Sequence, residues 1–327
     1  MTFLVSTSLG GCAAPSAPST VRVSSRPATT PPRLPAVETS ASPGPGSSPA
    51  TASAPAGAAL SVSTRRILDD TAVIERLGVR VGGGRVEAQA AAFVSRRMRE
   101  MGYAVRQETF PAPAGPSRNV MAHLSGTVAR SLVLGAHLDT RSTTPGANDD
   151  AAGCAILLEL ARILAHDGSP VSVDFVFFGS EEYNDGHPRD HHRGSRFRVA
   201  QMTPKQRSAT IGMISVDVVG YGDRLYARTM GVGPRTMSDY VLKRASELGI
   251  AMAYSKDPGP TGWSDHEPYE KAGIPAVWIE RLQDPQYHRS GDVTAHLQAS
   301  ALRQSARLVL DVVRSMTPRV VSGIARR

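Results

Sequence analysis

From residue 64 onward the sequence predicts an α/β fold, a three-layer α/β/α sandwich around a mixed, largely parallel, twisted sheet. Two observations predict it. Short apolar runs of strand character alternate with segments of helical periodicity, and the run at 131–136 is apolar on both faces, as in a sheet covered on each side by helices. Residues 87–101 carry Ala90, Val94, Met98 and Met101 on one helical face, with Gly102 as the stop. Strands follow at 105–110, 119–124 and 131–136. Asp150 is placed to open the next helix, whose body is 155–164. The run Val-Ser-Val-Asp-Phe-Val-Phe-Phe at 171–178 is the clearest strand. Further strands are expected at 211–216, 224–229 and 276–279, with helices at 237–248, stopped by Gly249, and at 299–313. Right-handed crossovers between parallel strands bring their carboxyl ends to one edge, where such sheets bind ligands.

The 327 residues leave room for one large domain or two small ones, and 41% apolar residues suffice for a sizeable core. No run of 18 apolar residues exists, which excludes a spanning helix. Two cysteines, Cys12 and Cys154, exclude a disulfide scaffold and a thiolate zinc cluster. Cys154 lies in an apolar helix and is expected to be a buried small hydrophobe. The net charge of +8 comes from scattered basic residues, and aromatics are only 5%, so no nucleic-acid partner is expected.

Residues 13–62 are built from Ala, Ser, Thr and Pro and cannot bury enough apolar area to offset their ordering entropy. They are expected to form a disordered, extended spacer. Before them, Leu9-Gly10-Gly11-Cys12 resembles a bacterial lipobox, where the cysteine is acylated after signal cleavage. No Lys or Arg precedes it, and the apolar run is short for a signal peptide; a start codon assigned too far downstream would explain both. The expectation is an exported protein, either secreted or a cell-envelope lipoprotein whose membrane contact is an acylated Cys12. Residues 1–12 would then be the truncated signal, 13–62 the linker and 63–327 the domain.

Metal-ligand residues gather at the expected strand ends. His137 follows the strand at 131–136, with Asp139 two residues on. The strand at 171–178 runs into Gly179-Ser180-Glu181-Glu182, and that at 211–216 into Asp217. A loop after 276–279 delivers Tyr287-His288, and a turn at 144–148 delivers Asp149 and Asp150. Charged side chains at the end of an apolar strand need solvent, a partner or a metal. Two imidazoles and several carboxylates without thiolate suit zinc, with cobalt or manganese as substitutes. There are more ligands than one tetrahedral ion needs, and a carboxylate can bridge, so the count favours two metals. In the Glu181-Glu182 pair one carboxylate can bind metal while its neighbour serves as general base.

Gly135-Ala136-His137-Leu138-Asp139-Thr140, Pro145-Gly146-Ala147-Asn148-Asp149-Asp150-Ala151-Ala152-Gly153, Gly179-Ser180-Glu181-Glu182, Val216-Asp217 and Tyr287-His288 together resemble the dizinc aminopeptidases of metallopeptidase family 28. That family also holds bacterial leucine aminopeptidases, glutamate carboxypeptidase-like proteins and glutaminyl cyclases. The resemblance is ordered along the chain, covers roughly residues 64–318 and implies the zinc-dependent exopeptidase fold. It implies that His137 and Asp217 bind one zinc, Glu182 and His288 the other, and that Asp149 bridges them. It implies Glu181 as the base, Asp139 as the carboxylate orienting the His137 imidazole, and Tyr287 as an oxyanion donor or a packing partner of His288. It also implies a cis peptide at Asp149–Asp150. The implied reaction is attack on a peptide carbonyl by a water that the two cations acidify, with Glu181 taking its proton and returning it to the leaving amine. The substrates would be peptides with a free N-terminus, and a monomer is expected. A glutaminyl cyclase or carboxypeptidase of the same fold, or a non-catalytic surface binding protein, stands as the alternative. Asp265 and His266 are open between pocket and ordinary turn, and Trp263 between pocket wall and core. Residues 183–193, with His187, His191 and His192, form a longer loop than compact members have and are expected as a solvated or rim loop, with a third metal or a substrate contact as the alternative. Gly291-Asp292-Val293 departs from the common Asp-Thr ending, which leaves the support of His288 open.

Overall fold

The computed structural model describes residues 59–182 and 190–325. The Cys12 motif, residues 13–58 of the expected spacer and His187 lie outside the described residues. The described chain opens with α1 (Thr64–Glu75) and α2 (Arg85–Glu100), followed by β1 (Val105–Ala112), β2 (Gly115–Leu124) and β3 (Val128–His137). Then come α3 (Ala152–Asp167), β4 (Val171–Phe178), α4 (Arg193–Gln201), α5 (Pro204–Ala209), β5 (Thr210–Val216), β6 (Leu225–Thr229) and α6 (Thr236–Glu247). The chain closes with β7 (Met252–Lys256), α7 (His266–Lys271), β8 (Ala276–Glu280), α8 (Ala299–Arg314) and α9 (Pro318–Ile324).

The strands form one mixed sheet in the order β1-β2-β4-β3-β5-β8-β6-β7. Its centre, β4-β3-β5-β8, is parallel throughout. The β1–β2 hairpin joins β4 antiparallel, and β6 joins β8 antiparallel. Side chains alternate between faces along each strand. Leu132 and Leu134 of β3 therefore pack with Phe175, Phe177 and Ile214 under Ile67, Met98, Leu157, Val241 and Val309 of α1, α2, α3, α6 and α8. Val133 turns the other way and meets Val176, Phe178 and Met213 under Val199 of α4 and Tyr269 of α7. Helices thus cover both faces, and the α/β/α sandwich follows. Among the described residues no helix is long and apolar enough to cross a membrane.

Two local expectations change. The boundary at residue 62 moves back, because Leu60 and Val62 pack on the core and the Leu60 N–H donates to Asp167. Asp150 does not open a helix: Asp149 (φ −119°, ψ 85°) and Asp150 (φ −133°, ψ 40°) are non-helical, and α3 begins at Ala152. Its carboxylate still caps that helix, accepting the Gly153 N–H at 3.0 Å. Residue periodicity does not predict α1, α4, α5, β7, α7 or α9. Of these α1 is the longest, capped by the Ser63 hydroxyl and burying only Ile67, Thr71 and Ile74. Cys154 is buried as expected, and its thiol donates to the His137 carbonyl at 3.1 Å.

Candidate active site

The four central strands are parallel, so their carboxyl ends share one edge. His137 is the last residue of β3, Asp217 follows β5, and Gly179–Glu182 follow β4. The segment after β8 delivers Tyr287 and His288. Among the described residues four non-glycine residues have left-handed backbone: Ser180 (φ 51°), His192 (φ 57°), Val218 (φ 53°) and His288 (φ 59°). Each is a candidate site residue or adjoins one. Such conformations cost energy for a residue with a Cβ and persist where the surroundings over-determine them.

Asp149 stands at the centre. Its Oδ1 lies 3.0 Å from His137 Nε2, and its Oδ2 lies 3.1 Å from His288 Nε2. Asp217 Oδ1 is 3.5 Å from His137 Nε2, and Glu182 Oε1 is 3.1 Å from His288 Nε2. Two clusters thus meet on one carboxylate, His137 with Asp217 and His288 with Glu182. Asp150 also lies near the first cluster. Its oxygens are already taken by the N–H groups of Gly153 and His137, so Asp149 is the carboxylate left to complete it. The Asp149–Asp150 peptide bond is cis.

The loop that carries Asp149 is held from several sides. Arg80 is fully buried and donates to the carbonyls of Leu138 at 2.8 Å, Pro145 at 2.7 Å and Gly146 at 2.9 Å. Asp292 accepts the Asn148 N–H at 2.6 Å and the Asp149 N–H at 3.2 Å, so the departure at 291–293 supports Asp149. The Asn148 side chain accepts from the Gly220 N–H and donates to Asp284. Trp278 Nε1 donates to the Asp217 carbonyl at 3.0 Å. The Glu87 carboxylate accepts from Ser117 Oγ and the N–H groups of Gly83 and Ser180.

The role expected of Asp139 is redistributed. His137 Nδ1 lies 3.1 Å from the Asp139 carbonyl oxygen but 3.7 Å from its carboxylate. The carboxylate instead accepts the N–H groups of Glu181 at 2.8 Å and Glu182 at 3.0 Å. Asp139 thus orients the imidazole through its backbone and the two glutamates through its side chain. A carbonyl only accepts, so Nδ1 carries the hydrogen and Nε2 is the nitrogen turned to Asp149 and Asp217.

This donor set fits metal. Asp149 Oδ2, Glu182 Oε1 and Asp217 Oδ1 are buried and have no hydrogen bond among the described residues, although a histidine nitrogen stands within 3.5 Å of each. Buried polar atoms without donors call for an ion or a proton. In the metal-free protein protons serve. Burial pushes the Glu182 carboxyl up to about 7 and the Glu181 carboxyl well above its ordinary range. Burial alone would lower His288, but Asp149 and Glu182 outweigh it and raise it to about 10. His137 rises in the same way, against burial, through Glu181, Asp139, Asp149 and Asp217.

The cleft over these groups holds about 360 Å³ and is lined by His137, Asp149, Glu181, Glu182, His191, His192, Asp217, Thr261, Gly262, Trp263, Tyr287 and His288. Trp263 is 44% exposed and belongs to the wall, with the Arg228 guanidinium 5.7 Å from its ring centroid. Tyr287 stacks on His288, centroids 3.8 Å apart, and also lines the cleft. Asp265 and His266 are fully buried and do not line it; His266 Nε2 pairs with Asp257 at 2.8 Å. His192 overturns its expected rim position. It is 2% exposed and meets Glu181 Oε1 at 3.0 Å through Nε2. No sequence signal separated it from the loop around it. The same holds for Arg80 and Glu87, whose partners lie far along the chain.

Residues 119–313 match the sequence model of peptidase family M28. The chain belongs to peptidase family M28. Aminopeptidase YwaD of Bacillus subtilis (strain 168) is 28% identical over 189 residues, which cover 54% of this chain and 39% of that relative. A glutaminyl-peptide cyclotransferase-like protein of Mus musculus is 25% identical over 273 residues, covering 71% of this chain and 70% of the relative. Among solved structures, an aminopeptidase from Aneurinibacillus sp. strain AM-1 superposes with a TM-score of 0.69 at 18% identity, covering 77% of this chain and 93% of that one. At that identity the likeness shows the fold alone.

Proposed function

We propose that this M28 protein is a two-zinc aminopeptidase that releases the N-terminal residue of peptides. The observation that carries the proposal is the central carboxylate, whose two oxygens each face a different histidine. His137 and Asp217 would hold one zinc, His288 and Glu182 the other, with Asp149 shared. When bound, the ions polarise the scissile carbonyl and lower the pKa of the attacking water.

The chain's own groups supply the rest. Glu181 lines the cleft beside Glu182, with its backbone fixed by Asp139, and accepts the proton of the attacking water. As oxygen adds to the carbonyl carbon, Tyr287, which lines the cleft, would donate its hydroxyl hydrogen to the developing charge. The C–N bond then breaks, and Glu181 returns the proton to the leaving amine. Burial of the carboxylates excludes competing water from all but the cleft side.

Similarity to a cyclotransferase-like relative supports a second reading, in which an N-terminal glutaminyl residue closes on itself and expels ammonia. Products separate the two. The purified chain, assayed for bound metal, is given L-leucine p-nitroanilide and, separately, a peptide with N-terminal glutamine. A free amino acid from the first supports the aminopeptidase; ammonia and a blocked N-terminus from the second support the cyclase. Glu181→Gln is expected to keep its zinc and lose activity by on the order of 100- to 10,000-fold. Activity that survives zinc removal, or full activity in Glu181→Gln, would sink both readings.

A further inference from the structure

We propose that His192 is a positioning residue for Glu181, holding the carboxylate of the base through Nε2 while Glu267 holds the imidazole through Nδ1. The inference rests on Glu181 acting as the base, as argued above. His192 Nε2 lies 3.0 Å from Glu181 Oε1, and Nδ1 lies 2.5 Å from Glu267 Oε2. Both ring nitrogens therefore face carboxylates, which fixes the ring about both of its hydrogen-bond axes. One Glu181 oxygen is engaged, and the other is left for the attacking water.

The backbone is committed to this contact. The His192 N–H donates to the Glu181 carbonyl at 2.6 Å, Arg193 to Ser180 at 3.0 Å and Gly194 to Gly179 at 3.1 Å. Three successive bonds lay this segment along the strand exit that carries the base. His192 adopts φ 57° and ψ 33° to do so. A left-handed conformation is unfavourable for a residue with a Cβ, so the imidazole is placed here against local preference. The far end of the chain of contacts is also fixed. Glu267 is 1% exposed and pairs with Arg196 and Lys271. Burial would raise its carboxyl, but His192, Lys271 and Arg196 outweigh it and hold it well below the usual range. The His191 ring lies edge-on to His192, centroids 4.0 Å apart, and closes the remaining side. His191, His192 and Glu267 are also near enough to share an ion. Yet both nitrogens of His192 already face carboxylates, and Glu267 already carries two cations, so the geometry favours the positioning role.

The test uses the zinc-loaded full chain and whichever substrate above it turns over. His192→Leu is expected to lower kcat on the order of 100-fold, with KM and the zinc content per chain unchanged. His192→Gln, which can offer an N–H to Glu181, is expected to recover most of that loss. In the Glu181→Gln background His192→Leu is expected to cost nothing further, because the group it positions is gone. Should His192→Leu not fold, Glu267→Gln is read by the same measures and is expected to lower kcat in the same direction. A fall in zinc content, a rise in KM with kcat unchanged, additive losses in the double variant or full activity in His192→Leu would each overturn the inference. Full activity in Glu181→Gln alone would instead remove the base on which it rests.

Discussion

Replacing Arg80 with Met is expected to loosen the candidate metal site without touching a ligand. The side chain is fully buried and makes three hydrogen bonds to backbone carbonyls, those of Leu138, Pro145 and Gly146. These carbonyls belong to the two segments that carry His137 and Asp149. Met keeps much of the length and packing but offers no donor. Each stranded buried carbonyl costs about 1–3 kcal/mol, so three give at least ~3 kcal/mol. Relief from burying the guanidinium offsets the higher end of that range. In a domain of this size 1 kcal/mol moves the melting temperature by roughly 2–4 °C, so a fall of roughly 6–12 °C is expected. Scanning calorimetry of the zinc-loaded protein measures it, with elemental analysis of bound zinc after dialysis as the second readout. Arg80→Lys should fall between the two, since an ammonium is a point donor that cannot match the guanidinium fork. Melting within 2 °C of the parent protein, with equal zinc retained, would refute the claim that Arg80 holds the two segments together.

Two further predictions concern pH. Zinc must displace the proton that Asp149 and Glu182 hold on His288, raised to about 10, so apparent zinc affinity should rise at least about tenfold per pH unit between 7 and 9. The rise should steepen below 7, where Glu182 is also protonated. Competition against a chelating dye at several pH values measures this, and a flat profile would contradict it. Burial, with Asp139, raises Glu87 from 4.5 to about 7, so the folded state binds the extra proton between those values. Its stability contribution is present below 4.5 and lost as pH rises through 7. Glu87→Gln should therefore gain on the parent protein as pH rises through that window, read as urea midpoints at pH 5, 6, 7 and 8.

The candidate ligand types were legible because the rule that exposes them is local. An apolar run ending in His137, in Glu181-Glu182 or in Asp217 needs no alignment to be noticed, and parallel strands place such ends together. The bounds of β4 were legible because Phe175–Phe178 end it in an apolar run, whereas β3 starts three residues before its apolar run, at Val128. The helix α1 was not, because it turns only a narrow stripe inward. Residues 252–256 were not, because every residue of this edge strand is half-buried or exposed, which leaves no alternation to detect.

What the sequence determined by itself is the inventory at one sheet edge, two imidazoles and a surplus of carboxylates after successive strands. What only the tertiary structure decided is which atoms meet. Arg80 reaches Leu138 across 58 residues, and His192 reaches Glu267 across 75. Nothing in local periodicity encodes such distances, because hydrogen bonds between loops depend on where the packed sheet leaves each loop. The Asp139 carboxylate makes the same point. Its sequence neighbour His137 suggested one partner, and the turn after β4 brought two closer ones, the N–H groups of Glu181 and Glu182.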